Sequence, residues 1–281
     1  MKEPVNESEN FVKSVNPAES GNPAESADQI DSTDPVGSAK LPDLVKAVES
    51  TNSDESTNPA QAEESFFEYG EKELAYLKRK DKRLAAAIER IGHIEREVDP
   101  APFSAVLHHI IGQQITTKAQ QTIWRRMQEQ LGVVTPETIL AAGVSKLSAI
   151  GTTSRKADYM TDFASKIVSG AFNPQALYTM TDGEVVESLT ALRGIGVWTA
   201  EMILLFCLQR PDVFSYGDLA IQRGLRMLYR HKTIDRERFE RYRRRFSPYG
   251  SVASLYLWAI SGGALPELTD PAADENLARK K

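Results

Sequence analysis

Apolar residues from about position 66 onward recur at intervals of three and four, the spacing that places them on one face of an α-helix. The first such run passes through Leu74, Leu77 and Leu84 and ends near Gly92. No stretch shows the regular alternation of apolar and polar residues that is typical of a half-buried strand. The pattern therefore predicts an all-α domain over residues 66–265.

A polar break separates two of these helices. Pro102 suits the first turn of a helix, because its missing N–H has no partner there in any case. That helix stops at the sequence Gly112-Gln113-Gln114, and the next one continues through Trp124 to Gly132. The break is compatible with a simple polar turn between helices and also with a functional loop, and both interpretations stay open.

A two-glycine turn joins two further predicted helices. The first ends near Leu192, and Gly194 and Gly196 then permit positive φ angles and a tight turn. The second begins at Val197 and stops before Pro211, which cannot continue helical hydrogen bonding. Its free N–H groups and positive dipole end lie beside the turn, so this end is suited to bind an anion such as phosphate.

A carboxylate follows this second helix after an irregular stretch. Asp218 comes directly after Ser215-Tyr216-Gly217 and precedes a helical pattern that runs to about Tyr229. An Asp in this position can serve as the N-cap of that helix. The turn alone is equally compatible with an ordinary αα-hairpin, so neither feature identifies a function by itself.

Taken together, these features resemble a known family. The motif Leu-x-Gly-Ile-Gly-x-Trp-Thr-Ala over residues 192–200, with Asp218 twenty residues after Trp198, resembles the helix–hairpin–helix–Gly/Pro–Asp superfamily of DNA glycosylases. Within it the chain is similar to the 3-methyladenine DNA glycosylase II branch, from about Phe103 to about Trp258. The resemblance implies two helical subdomains with a DNA-binding cleft between them. Larger members of the family carry an additional N-terminal α/β domain. The resemblance implies the short form, which has no such domain.

The resemblance implies a monofunctional DNA glycosylase that flips alkylated purines such as 3-methyladenine out of the duplex and hydrolyses the N-glycosidic bond. Asp218 is then the catalytic residue, because a nearby carboxylate stabilises the positive charge that builds on the sugar. Trp198 and Tyr216 are expected in the base pocket, since an aromatic face attracts a cationic base. Endonuclease III-like relatives have a lysine where this chain has Trp198, so no lyase activity is expected.

The same resemblance assigns the contacts with DNA. The hairpin residues expected at the DNA backbone are Gly194, Ile195, Gly196 and Thr199. By position, Gln114 is the wedge residue that enters the base stack, with Gln113 beside it, although some members carry leucine there. In the family an alkali cation often bridges hairpin carbonyls and a phosphate, so the resemblance allows such an ion at the hairpin. No cofactor is expected to be required, and no metal ligand is assigned.

Charge is distributed unevenly along the chain. The whole chain has a formal net charge of −5. Residues 1–65 hold 14 Asp and Glu against 4 Lys, so the remaining residues carry +5. The low-complexity, aromatic-poor composition of residues 1–65 predicts a disordered acidic tail, and residues 266–281 are expected to form a flexible end. A mildly basic domain suits a phosphate-rich partner, and the resemblance implies that this partner is double-stranded DNA containing alkylated bases.

A helix predicted over residues 235–246 is rich in arginine. Three of these side chains, Arg238, Arg241 and Arg245, share one face. Such a face is typical of a solvated surface, and it also suits contact with phosphates, which position DNA without reading its sequence. Both interpretations stay open.

The remaining features limit the setting of the protein. Cys207 is the only cysteine and no signal peptide is visible, so a reducing, cytoplasmic location is expected, with nucleoid association if the source is bacterial. No apolar run approaches the length that spans a bilayer. A monomer without membrane contact is expected. A non-catalytic DNA-binding module that reuses the hairpin, and a glycosylase for a different lesion, are the alternative functions.

Overall fold

The computed structural model describes residues 65–272, so the predicted acidic tail lies almost wholly outside the described residues. Eleven α-helices occur in this range: α1 (Glu71–Lys80), α2 (Lys82–Ile91), α3 (Pro102–Gly112), α4 (Thr117–Leu131), α5 (Pro136–Ile150), α6 (Ser154–Val168), α7 (Asp182–Thr190), α8 (Val197–Phe206), α9 (Leu219–Tyr229), α10 (Arg236–Phe246) and α11 (Gly250–Ser261). A 3-10 helix spans Pro174–Tyr178. The prediction of an all-α domain is confirmed.

Two short strands accompany the helices. β1 (Ser65–Phe66) pairs antiparallel with β2 (Glu97–Val98). The sequence did not predict them, because an alternating pattern cannot become apparent over two residues.

Several helices begin at the capping residues that the sequence indicates. The side chain of Thr181 accepts a hydrogen bond from the Glu184 N–H, and the Glu184 carboxylate accepts one from the Thr181 N–H, which completes the capping box of α7. Thr153 caps α6 by accepting a hydrogen bond from the Lys156 N–H at 3.3 Å. These caps satisfy N–H groups that have no partner within the helix.

The helices form two groups. The extensive contacts among α3, α4, α5, α6, α7 and α8 lie within one group, and those among α1, α2, α9, α10 and α11 lie within the other. This arrangement agrees with the two helical subdomains expected from the sequence. The chain passes between the groups in the segment from Cys207 to Asp218, which places Asp218 where the subdomains meet.

The last helix forms the centre of the second group. Each residue of α11 is buried except Trp258, which is half-buried. α11 packs closely on α9, because Gly224 lies so near the Leu257 carbonyl that an added Cβ would overlap it. The resulting close packing fixes the direction in which the Trp258 side chain leaves the helix.

The segment after α11 packs on the helical body up to at least Ala272. The Asp270 carboxylate is buried and accepts hydrogen bonds from Arg226 Nε at 2.9 Å and from an Arg226 terminal nitrogen at 2.6 Å. Residues 266–272 were expected to belong to the flexible end, and this ion pair attaches them to α9 instead. The pairing residues are 44 positions apart, so no local pattern indicates the contact.

Candidate active site

The two glycines of the hairpin have different roles. Gly194 adopts φ of +82°, and an added Cβ would overlap the ring of Tyr159, so both backbone and packing require glycine. Gly196 has φ of −95°, and an added Cβ would meet nothing within 4 Å. The sequence predicted that both glycines could adopt positive φ angles, and only Gly194 adopts one. At Gly196 the missing side chain instead leaves open space at the surface.

The N-terminus of α8 is open to solvent. Gly196 is its N-cap, no side chain caps it, and the adjacent Val197 is 57% exposed. Ile195 and Thr199 were both assigned to DNA contact, but they are only 6% and 7% exposed. Their side chains therefore face the interior. Contact with an anion here depends on the backbone N–H groups of the first turn.

The glutamine loop between α3 and α4 contacts this hairpin directly. The Gln113 side-chain amide donates a hydrogen bond to the Gly194 carbonyl at 2.7 Å. Gln114 is exposed and has a left-handed backbone with φ of +56°. The structure thus brings together the two regions that the sequence assigned to DNA contact, 81 positions apart.

Asp218 is held by three donors. Its Oδ2 accepts a hydrogen bond from Trp198 Nε1 at 3.0 Å. Its Oδ1 accepts from Trp258 Nε1 at 3.1 Å and from the Ile221 N–H at 2.8 Å. Asp218 is therefore the N-cap of α9 and is also clamped between two indoles. It is 6% exposed, so it lies just below the surface.

The neighbours of Asp218 keep it close to solvent. Gly217 is exposed and Leu219 is 50% exposed on the other side. Trp198 lies beside Gly217. Its Cβ is 3.8 Å from the position that a Cβ on Gly217 would occupy. Asp218 is therefore flanked in the chain by exposed residues on both sides.

Trp258 contacts the carboxylate although it lies outside the sequence motif that carries the family resemblance. Besides donating to Asp218, its indole stacks on Phe206, with ring centroids 5.4 Å apart. The Arg96 guanidinium lies over the Phe206 ring, 4.7 Å from the ring centroid. Trp258 follows Asp218 by 40 positions on an otherwise apolar helix, so the sequence contains no local signal for this role.

A cavity of about 90 Å³ lies between α3 and the end of α8. The residues that line it are Asp99, Ala105, His108, His109, Gln120, Phe206 and Cys207. It adjoins the aromatic residues around Asp218, because Phe206 stacks on Trp258 and the His109 ring stands edge-on to Trp198 at 6.4 Å. Neither histidine was assigned a role from the sequence.

The two histidines of this cavity differ in their surroundings. Burial lowers the pKa of His109 to about 4, with the nearby His108 adding to the effect, so His109 is neutral at pH 7. His108 Nδ1 instead contacts the Asp99 carboxylate at 3.0 Å. Burial alone would raise the pKa of Asp99, but hydrogen bonds from His108 and Ser104 outweigh it and lower that pKa.

The Tyr216 ring packs against α10. It stands edge-on to Phe239 at 5.1 Å, and the Arg236 guanidinium lies over it at 4.7 Å. Both partners belong to α10, and Tyr216 is not among the residues that line the cavity. Its place in a base pocket with Trp198 stays a prediction.

A second carboxylate lies near Asp218. Glu201, one turn after Trp198 on α8, accepts a hydrogen bond from the buried Ser215 hydroxyl. Burial raises the pKa of Glu201, and the negative charge of Asp218 acts in the same direction. Sequence reasoning missed this residue, because no local pattern shows that α8 packs on the segment before Asp218.

The arginine face of α10 is engaged within the protein. Arg238 donates to the Thr233 carbonyl at 2.7 Å, and Arg241 pairs with Glu237 at 2.8 Å. Arg245 pairs with the buried Asp81 at 2.6 Å. These contacts favour the interpretation of this face as a structural and solvated surface.

Neither a metal-binding cluster nor a single membrane-spanning helix occurs within residues 65–272. No group of three or more His, Cys, Asp and Glu side chains in this range is arranged to hold a metal ion. No single helix of the same range is long and apolar enough to cross a membrane. α4 and α5, bent by 106° at the break between them, reach the required length and composition only as a pair.

Comparison with known families identifies the fold. Residues 107–248, about half of the chain, match the family described as HhH-GPD superfamily base excision DNA repair protein. The chain belongs to the HhH-GPD superfamily. The matched HhH-GPD region includes the glutamine loop, the hairpin and Asp218, whereas Trp258 lies beyond its end.

Individual HhH-GPD proteins support this assignment. The chain is 30% identical to DNA-3-methyladenine glycosylase 1 of Schizosaccharomyces pombe, over 60% of this chain and 76% of that protein. The crystal structure of a Bacillus halodurans DNA-3-methyladenine glycosidase is 32% identical with a TM-score of 0.65, covering 76% of this chain and 99% of that one. The S. pombe enzyme in complex with abasic DNA is 26% identical with a TM-score of 0.62, covering 70% and 99%.

Proposed function

We propose that this protein is a DNA glycosylase of base excision repair that removes alkylated purines such as 3-methyladenine from double-stranded DNA. The observation that carries the proposal is the clamped carboxylate: Asp218 accepts hydrogen bonds from Trp198 and Trp258 where the two subdomains meet. The names of the similar proteins support the same activity. The bound abasic DNA of the S. pombe enzyme supports DNA as the partner.

The clamp suits the chemistry of N-glycosidic bond cleavage. As the bond to the base breaks, positive charge develops on the sugar, and a fixed carboxylate stabilises that charge most when it needs no reorganisation. The two indole N–H groups and the Ile221 N–H fix both oxygens of Asp218. The same carboxylate orients the water that attacks the sugar carbon.

The hairpin suits the grip on the DNA backbone. The uncapped N-terminus of α8 offers N–H groups and a positive dipole end to a phosphate, and the open space at Gly196 lets the strand approach. An alkali cation between hairpin and phosphate fits as an accompanying ion. The Leu192 and Gly194 carbonyls each accept one hydrogen bond and keep a second lone pair. The reaction requires no other cofactor.

The surroundings of the cavity suit a cationic base. An alkylated purine such as 3-methyladenine carries positive charge, and the aromatic face of Trp198 attracts a cation. The pKa of His109 is lowered to about 4, so this ring adds no positive charge at pH 7 that would repel the base. The flipped base is proposed to enter here, beside α3.

The proposed enzyme acts without strand cleavage. Lyase chemistry needs an amine that forms a Schiff base with the sugar. The side-chain partners of Asp218 are the indoles of Trp198 and Trp258, and neither offers such an amine. The protein is further proposed to act as a monomer in the cytoplasm, where its single cysteine, Cys207, stays a buried thiol.

Base release from methylated DNA tests the proposal. The purified full chain is incubated with duplex DNA treated with a methylating agent, and released bases are separated by chromatography. Release of 3-methyladenine with intact strands supports the proposal. Binding of abasic-analogue duplex without any base release would instead indicate a non-catalytic DNA-binding module. Release confined to hypoxanthine, ethenoadenine or uracil from single-lesion duplexes would indicate a glycosylase for another lesion.

A further inference from the structure

A lysine from a distant helix closes the end of α3. Lys156, in the first turn of α6, donates from Nζ to the Ile111 carbonyl at 2.9 Å and to the Gln113 carbonyl at 2.6 Å. The last carbonyls of a helix have no partner within it and carry partial negative charge. The half-buried ammonium satisfies two of them, and its burial lowers the pKa of Lys156.

Gln113 is therefore fixed at both ends. Its carbonyl accepts the hydrogen bond from Lys156, while its side-chain amide donates to the Gly194 carbonyl at 2.7 Å. This chain of contacts, Lys156–Gln113–Gly194, links α6, the glutamine loop and the hairpin. It leaves little freedom for the loop to move relative to the hairpin.

The same helix also holds the hairpin by two other contacts. Asp158 pairs with Arg193 at 2.6 Å. The Tyr159 ring occupies the space that a side chain at position 194 would need. Neighbouring positions of α6 thus contact both the glutamine loop and the hairpin, and α6 serves as their common support.

The residue after Gln113 has an unusual backbone. Gln114 is exposed and has φ of +56°, a conformation that side chains other than glycine, asparagine and aspartate rarely adopt. Such a conformation persists where the surrounding structure determines it. Gln113, which is held by Lys156, restrains the backbone on one side of Gln114. The direction of Gln114 therefore depends on Lys156.

We propose that Lys156 and Gln113 are positioning residues that hold the wedge at Gln114 in register with the phosphate-binding hairpin, so that gripping the strand and filling the vacated base space occur together. The inference rests on the proposed glycosylase function. In this proposal neither side chain takes part in the chemistry at the sugar or the base. Their contribution acts through the placement of Gln114.

The proposal predicts a dependence on base pairing. In a duplex the lesion must leave the stack, which costs unpairing and unstacking energy, whereas a base in a single strand has already lost its partner. A wedge that is out of register therefore slows excision from duplex DNA. It leaves excision from single-stranded DNA nearly unchanged.

The test compares two substrates and four proteins, and Lys156→Arg is added as a conservative variant. Methylated DNA is used as duplex and as heat-separated single strands, and base release is measured under single-turnover conditions. The proteins are wild type, Lys156→Met, Gln113→Leu and Lys166→Met. The thermal unfolding of each protein is also measured. Lys166 lies on the same helix and pairs with Asp162 at 2.8 Å, so its substitution controls for the loss of a lysine from α6.

Each result supports or overturns the proposal. For Lys156→Met we expect duplex excision to fall by up to about 100-fold, with single-strand excision within about threefold of wild type, and for Gln113→Leu we expect duplex excision to fall more than single-strand excision. Lys156→Arg is expected to restore much of the duplex rate, because its donors can reach both carbonyls. Equal losses on both substrates, or unchanged duplex excision in both variants, overturn the positioning role. If wild type releases no base at all, the proposed function itself fails, and this inference falls with it.

Discussion

Trp198 Nε1 and Asp218 Oδ2 are joined by a hydrogen bond of 3.0 Å, which couples the start of α8 to the start of α9. The uncapped end of α8, which is proposed to bind phosphate, and the carboxylate that caps α9 are therefore joined through the Trp198 indole. This contact connects the proposed DNA grip to the proposed reacting group.

Removing one indole donor is expected to slow the reaction while preserving the fold. Trp198→Phe keeps an aromatic ring and loses the N–H that contacts Oδ2 of Asp218. A hydrogen bond to a charged group contributes about 1.5–3 kcal/mol, so single-turnover base release should fall about 10- to 100-fold. Trp258→Phe removes the donor to Oδ1 and should act similarly. Base release at the wild-type rate in both variants would contradict the role of the clamp.

The two hairpin glycines are expected to respond differently to alanine. Gly194→Ala places a Cβ against Tyr159 at a φ of +82°, so the free energy of unfolding should fall by at least about 1–3 kcal/mol. Gly196→Ala meets open space and should leave stability nearly unchanged while weakening binding to an abasic-analogue duplex. Urea unfolding and a binding titration measure the two effects. Equal stability losses would show that Gly196 is a packing residue.

Acid stability is expected to depend on His109. Its pKa is lowered in the folded protein from 6.5 to about 4, so the unfolded chain binds a proton that the folded state excludes between these values. Stability should therefore fall as the pH drops from about 6.5 to 4, by on the order of 3 kcal/mol from this residue. His109→Gln should remove this part of the pH dependence in urea titrations at pH 7 and 4.5. His231→Gln provides the comparison, since the pKa of His231 is also lowered.

The ion pair behind α9 is expected to stabilise the fold. Among the residues that the structure describes, Arg226→Met leaves the buried Asp270 carboxylate with Arg223, at 3.8 Å, as its basic partner. Breaking a buried pair by removing one partner costs about 3–5 kcal/mol, and the remaining arginine offsets part of this. Urea unfolding of Arg226→Met, Asp270→Asn and the double variant measures the coupling. An additive double variant would indicate that residues 266–272 contribute nothing through this pair.

The parts of the site that were predictable from the sequence are those encoded locally. Gly194, Trp198 and Asp218 lie within one motif whose order and spacing carry the family resemblance. The motif does not encode which way each side chain points. Ile195 and Thr199 stay predicted DNA contacts with buried side chains, and Tyr216 stays a predicted pocket residue whose ring packs on α10.

The remaining parts of the site arise from contacts between distant segments. Trp258 reaches Asp218 only because α11 packs on α9, and Lys156 reaches Gln113 only because α6 packs on α3. Hydrophobic periodicity shows that each of these helices buries one face, but it does not show which helix covers it. The partners could not be named until the packing was known.

The role of Asp218 is tested most directly by comparing the same substitution at two helix caps. Asp218→Asn and Asp235→Asn each keep an N-cap side chain that can accept from the backbone, and Asp235 caps the exposed start of α10. At equal occupancy of methylated duplex DNA, Asp218→Asn should release alkylated purines at least about 100-fold more slowly than wild type, while Asp235→Asn matches wild type. Base release by Asp218→Asn at the wild-type rate would contradict the catalytic role of this carboxylate.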